Sequence, residues 1–201
     1  MVESSAENKD LAAGAFAPTE VERNLILTHL GEDAIADPGY KASVTLGKAE
    51  SERRASLLSD IEYDFQLALK KGDYYLGNAV INFYVNKLPQ QGELFLNSQA
   101  LAIDGLTIND SAMTGTEAFK NQRIALEAPH VVLGWNTVQM RYFTAFNKNR
   151  VGLHSYTDQQ DQQQYLYSQF EAFHCFRVFP CFDQPNLKAK MSLTVTCPKS
   201  W

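Results

Sequence analysis

The sequence has 201 residues, 45% hydrophobic and 20% charged, and its 18 Lys and Arg against 23 Asp and Glu leave a net charge of −5. A chain of this size buries a core without disulfide or metal staples, so it reads as one globular domain or a domain with a tail. Mild acidity argues against a nucleic-acid or anionic-membrane partner, and no apolar run approaches the roughly 20 residues of a membrane-spanning helix.

Residues 1–20 are mostly Ala, Ser, Glu, Asn and Lys and read as a polar tail, since so few large apolar groups cannot offset the entropy of ordering. The first ten residues have neither the basic start and apolar stretch of a secretory signal nor the acid-free composition of a mitochondrial presequence, so a cytoplasmic location is expected. Residues 21–58 read as an arm with short helical segments: Pro18 to Arg23 opens an amphipathic stretch, Asp37-Pro38-Gly39 is a turn, and Lys48 to Leu58 is compatible with helix. Such an arm suits docking against another chain.

From residue 59 to 201 the pattern is that of strands. Odd positions of Ile61 to Leu69 are apolar and even ones, Ala68 excepted, are polar, which predicts a half-buried strand. Lys70 to Asp73 is a turn, and Leu76 to Val85 completes a hairpin. Further strands are expected at Leu94–Leu96, Ala102–Ile108, Arg123–Leu126, Val131–Phe146, Tyr165–Phe170 and Ala189–Thr196, with the Gln-rich patch of residues 159–164 as a polar loop. Short strands at this spacing predict an all-β, antiparallel domain.

Metal and nucleophile chemistry finds no foothold. His29, His130, His154 and His174 form no ligand-spaced pair, and five residues separate Cys175 from Cys181 where a zinc pair has two to four. With Cys197 the thiols are odd in number, a poor disulfide framework, and read as reduced and buried. No cofactor is expected in this chain. Residues 179–189 place Pro180 and Pro185 around Asp183, which predicts a rigid corner with Asp183 accepting hydrogen bonds from turn amides and Arg177 in a structural ion pair.

Several segments closely resemble the N-terminal domain of the aminopeptidase N family of zinc metallopeptidases: Gly152 to Tyr156, Tyr165 to Ala172, Arg177 to Pro185, and Leu187-Lys188-Ala189. Weaker agreement runs upstream through Arg54 to Leu58, Tyr63 and the hairpin with Gly77, so the resemblance covers roughly residues 48–201. It marks Arg177, Pro180, Asp183, Pro185 and Lys188 as a structural motif. It implies a saddle-shaped β-sandwich lying against a thermolysin-like catalytic domain. By the same resemblance Gln169 lines the primary specificity pocket and Glu171 helps hold the substrate's free α-amino group, a task suited to a partly desolvated carboxylate. Zinc is expected only where a catalytic domain follows, because the family's His-Glu-x-x-His helix and Gly-x-Met-Glu-Asn loop have no counterpart here. Asn186, where Asp is common, and the Gln-rich patch also depart from the family pattern.

Three readings follow. The first is a non-catalytic structural or interaction subunit, with a protein partner covering an exposed face of the β-domain and the arm. The others are the N-terminal domain of a zinc aminopeptidase and an independent binder of peptide N-termini.

Overall fold

The structure is a computed structural model that describes residues 46–113 and 118–201. The polar tail and the arm as far as residue 45 lie outside them. The described end of the arm is helix α1 (Lys48–Leu57), whose first turn carries Glu50 and whose last turn carries Arg54, the arrangement its dipole favours. Arg54 and Leu57 are buried, so this part of the arm is covered by its own β-domain.

The strands are β1 (Leu58–Ala68), β2 (Tyr74–Val85), β3 (Phe95–Asn97), β4 (Ala102–Ile108), β5 (Ser111–Ala112), β6 (Phe119–Lys120), β7 (Arg123–Ala125), β8 (Gly134–Ala145), β9 (Gly152–Thr157), β10 (Gln164–Gln169) and β11 (Ala189–Thr196). A six-stranded sheet has the order β11-β1-β2-β8-β4-β5, a three-stranded sheet the order β3-β7-β6, and β9 pairs with β10 as a separate hairpin. The all-β sandwich is thus present, with one pairing of a different kind: β11 lies parallel to β1, with Tyr63 opposite Met191 and Phe65 opposite Leu193.

Alternation places one face of the large sheet inward. Tyr63, Phe65 and Leu67 of β1, Ala79, Ile81 and Phe83 of β2, and Val138, Met140 and Tyr142 of β8 are all buried in one core. Two bulges reset the phase. The β1–β2 register shifts between Ser59 and Glu62, where Asp60 has φ 49°, so Leu58 and Ile61 both point inward. Gly105, at φ 61°, does the same in β4, and Ile103 and Leu106 are both buried. Facing this sheet, Leu94, Phe95 and Leu96 and the segment Phe176–Phe182 close the core, with the Phe179 ring stacked on Phe65 at 4.5 Å and Phe182 edge-on to Phe83 at 5.3 Å.

That cover stops at β1. Met191, Leu193 and Val195 share the inward face with Tyr63, Phe65 and Leu67 through the parallel register, yet each is about half exposed, and every residue of β11 is solvent-accessible. The core face therefore continues, uncovered by the described residues, onto an edge strand.

Candidate functional site

Gln169 and Glu171 lie where β10 leaves its hairpin. Gln169 pairs with Gly152, which sits at φ 66° and could not carry a side chain: a Cβ there would lie 2.9 Å from the Arg177 Cβ and 2.6 Å from Asn147 Nδ2. The hairpin thus rests directly on Arg177. Between the two polar residues, Phe170 turns inward and meets Phe179 edge-on at 6.1 Å, and its carbonyl accepts the His174 N–H at 2.9 Å. Gln169 Oε1 accepts the Glu171 N–H at 3.0 Å. Both Gln169 and Glu171 are exposed, and the Glu171 carboxylate accepts no hydrogen bond from any described residue. The partial desolvation expected of that carboxylate is not supplied by the described residues.

The motif residues support this edge from beneath. Arg177 is buried, its Nε donating to His174 Nδ1 at 3.1 Å and its Nη1 to Gln99 Oε1 at 2.8 Å. The expected corner is there: Asp183 Oδ2 accepts the Phe176 N–H at 3.0 Å. Pro180 is buried, whereas Pro185 and Lys188 are exposed. The thiols divide three ways, with Cys181 buried, Cys175 half-buried and Cys197 exposed, so Cys197 departs from the buried reading.

Sequence reasoning passed over the residue that binds the corner to the rest of the domain. Arg54 reaches from α1 into the core, donating from Nε to Gln184 Oε1 at 2.9 Å and from Nη1 to Asn97 Oδ1 at 2.7 Å and the Phe95 carbonyl at 3.3 Å. Its guanidinium lies over the Phe95 ring at 4.7 Å. Burial brings its pKa down to about 10. Gln184 returns a bond to the Ser51 carbonyl at 2.9 Å, and the Phe182 N–H donates to the Tyr63 hydroxyl at 3.0 Å. The only sequence signal for Arg54 was its place in the upstream part of the resemblance.

Burial pushes the Asp183 carboxyl above its ordinary range, against its backbone hydrogen bonds and the nearby Arg54 and Arg177 charges. An acid with a raised folded pKa holds its proton longer in the native state, so its contribution falls as pH rises from about 3.8 through the folded value and stays low above it. Asp183→Asn, which keeps an acceptor without a charge, is expected to equal or exceed the parent in stability at pH 7 and to lose that slope. Asp183→Ala, which strands the Phe176 N–H, is expected to lose about 1–3 kcal/mol. Urea titrations of both variants at pH 4 and 7 check this, and a deeply destabilised Asn variant would refute it.

Among the described residues no three His, Cys, Asp or Glu side chains are grouped to hold a metal ion. His154 and His174 use their Nδ1 atoms to accept from the Arg150 N–H at 3.0 Å and from Arg177. The described residues do not fit a zinc ion. No helix among them is long and apolar enough to cross a membrane.

Residues 59–201 match the peptidase M1 N-terminal domain. The chain is 35% identical to an aminopeptidase N from Streptomyces lividans over 78% of its own length and 18% of that protein's. To an aminopeptidase M1-D from Oryza sativa subsp. japonica it is 30% identical, over 52% of its length and 13% of the relative's. The fold is similar to that of leukotriene A4 hydrolase from Saccharomyces cerevisiae, with a TM-score of 0.56 at 18% identity over 81% of this chain and 26% of the other. An M1 zinc metallopeptidase from Deinococcus radiodurans also gives 0.56, at 17% identity over 72% and 33% of the two chains. The chain thus spans less than a fifth of the curated relatives it matches. The match falls on the domain that precedes the zinc-bearing one, and on its strength the chain belongs to the M1 peptidase family, as an N-terminal domain of its aminopeptidases.

Proposed function

We propose that this domain is non-catalytic and works beside a zinc-peptidase domain, offering Gln169 and Glu171 to the free amino terminus of a peptide. The observation behind the reading is the geometry of that edge: Phe170 anchors it, Gln169 braces the backbone, and Glu171 is left with an uncommitted carboxylate facing outward. An exposed carboxylate holds an ammonium weakly, because water competes for both. A neighbouring domain that excluded water over Glu171 would strengthen the contact.

A wider reading, a structural or interaction role with a protein partner, is favoured by β11. Its half-exposed Met191, Leu193 and Val195 continue the core face, and such a stripe on an unpaired edge is a place for another polypeptide to pack. A cytoplasmic setting belongs to the same proposal, supported by three free thiols.

An NMR titration separates the two. A short peptide with a free amino terminus should shift the Gln169 and Glu171 amides with a millimolar-range Kd, about 4 kcal/mol. Its N-acetylated twin should not, and Glu171→Ala should abolish the difference. Equal responses to both peptides would end the recognition reading and leave the interaction role alone.

A further inference from the structure

The β9–β10 hairpin has two dissimilar faces. Leu153 and Leu166 turn toward the core and pack against it. On the other face the register sets Gln169 opposite Gly152, Tyr167 opposite His154 and Tyr165 opposite Tyr156, and residues directly paired in antiparallel strands share a face. A single row therefore runs from Gln169 through Tyr167 to the Tyr165–Tyr156 pair. Each of the three tyrosines is about half exposed, on a face where alternation ordinarily turns polar side chains to water.

Two of these rings are held in place. Tyr165 donates from its hydroxyl to Asp161 Oδ2 at 2.6 Å. The Tyr167 ring lies 4.8 Å from the His154 ring, and His154 is itself buried and fixed through Nδ1, which accepts the Arg150 N–H at 3.0 Å. Rings fixed in this way lose little freedom when another group packs on them, which suits them to contact.

We propose that this tyrosine face is a binding track for the extended, apolar segment of a peptide whose amino terminus lies at Glu171. The register of the track rests on the amino-terminus reading given above.

Spacing and charge both bear on the occupant. Same-face residues of a strand stand about 7 Å apart, and an extended peptide repeats at the same interval. With its first side chain beside Gln169, such a peptide sets its third on Tyr167, about 7 Å further on, and its fifth between Tyr165 and Tyr156, about 14 Å on. The second and fourth side chains point away and are not selected. The Asp161 carboxylate, bonded to Tyr165, stands at the far end and disfavours a carboxyl terminus there. The occupant is thus a peptide that continues beyond its fifth residue and is apolar or aromatic at its third and fifth. Tyrosines facing across two strands also stabilise the hairpin itself, but that role alone predicts no dependence on peptide sequence.

The test titrates the full, isotopically labelled chain with two C-terminally amidated peptides, Leu-Gly-Leu-Gly-Leu and Leu-Gly-Gly-Gly-Gly, and follows the backbone amides by NMR. The first is expected to shift Tyr156, Tyr165 and Tyr167 together with Gln169 and Glu171, and to bind about five- to tenfold more tightly than the second, which should shift Gln169 and Glu171 alone. Tyr167→Ser, at an exposed position, should remove most of that advantage and leave the weaker peptide unaffected; Tyr156→Ser should do the same in part. Equal affinities for the two peptides, or tyrosine amides that stay still, overturn the track, whatever happens at Gln169 and Glu171. N-acetylated Leu-Gly-Leu-Gly-Leu separates the two ideas. If it shifts the tyrosines and binds as well as the free peptide, the amino-terminus reading fails and the tyrosine face stands as a peptide site.

Discussion

Arg54→Ala is expected to lose about 3–5 kcal/mol, a large share of the stability of a domain this size. The side chain is fully buried, and its removal acts in three ways at once. It opens a cavity between the Phe95 and Phe182 rings, over which the guanidinium now lies at 4.7 and 6.0 Å. It leaves Gln184 Oε1 and Asn97 Oδ1 without their donor, and buried acceptors without partners are costly. It also frees α1 from the corner, since the bond from Gln184 to the Ser51 carbonyl depends on a Gln184 held in place. Arg54→Met should fall between parent and alanine: it keeps the volume and sheds a charge that burial disfavours, but restores no donor. Urea unfolding with an unchanged slope would measure both, and a loss below about 1 kcal/mol for Ala would show that the acceptors find other partners.

A second large effect is expected at Gly77. It sits in β2 directly opposite Tyr142 of β8, and a Cβ built on it would lie 2.1 Å from the Tyr142 Cζ and 2.4 Å from its hydroxyl oxygen. The ring has nowhere to go, being itself buried in the core. Overpacking usually costs about 1–3 kcal/mol, and a methyl group driven into a confined aromatic ring belongs at or beyond the top of that range. Gly77→Ala should therefore fold poorly if at all. Tyr142→Ala should itself destabilise the domain, but in its presence Gly77→Ala should cost little more, giving a coupling energy above about 2 kcal/mol. Additive losses in the double variant would mean that Gly77 is required for another reason.

How much of this was legible from residues alone depended on distance along the chain. The alternation of β1, β2 and β8 was plain, because each reports one face of one sheet. β9 was not, since the run from Gly152 to Thr157 mixes His154 and Ser155 inward with Tyr156 outward and carries no clean period. The long strand expected over residues 131–146 begins only at Gly134, because Val131 to Leu133 belong to the turn ordered by Asn136, whose amide bonds the Val132 carbonyl at 2.8 Å. Gln169 and Glu171 entered through resemblance, and the structure explains why spacing could not have named them: their setting depends on Phe179 and Gly152, neither adjacent in sequence. The Arg54 bond to Gln184 spans 130 residues, and nothing local announces it.

The parallel edge of the large sheet bears on how such a chain is made. Lys190 of β11 bonds Glu62 of β1 at 2.9 Å across a sequence separation of 128. A ribosome adding about 5–20 residues per second exposes β1 many seconds before its parallel neighbour exists. Through that interval the β1 edge, with Tyr63, Phe65 and Leu67 and an open row of amides, is available to other nascent chains. Long-range pairing of this kind also slows the final step. The vulnerable period of this domain is thus set by translation speed, and slowing elongation between β2 and β11 should raise aggregation more than the same delay placed after β11.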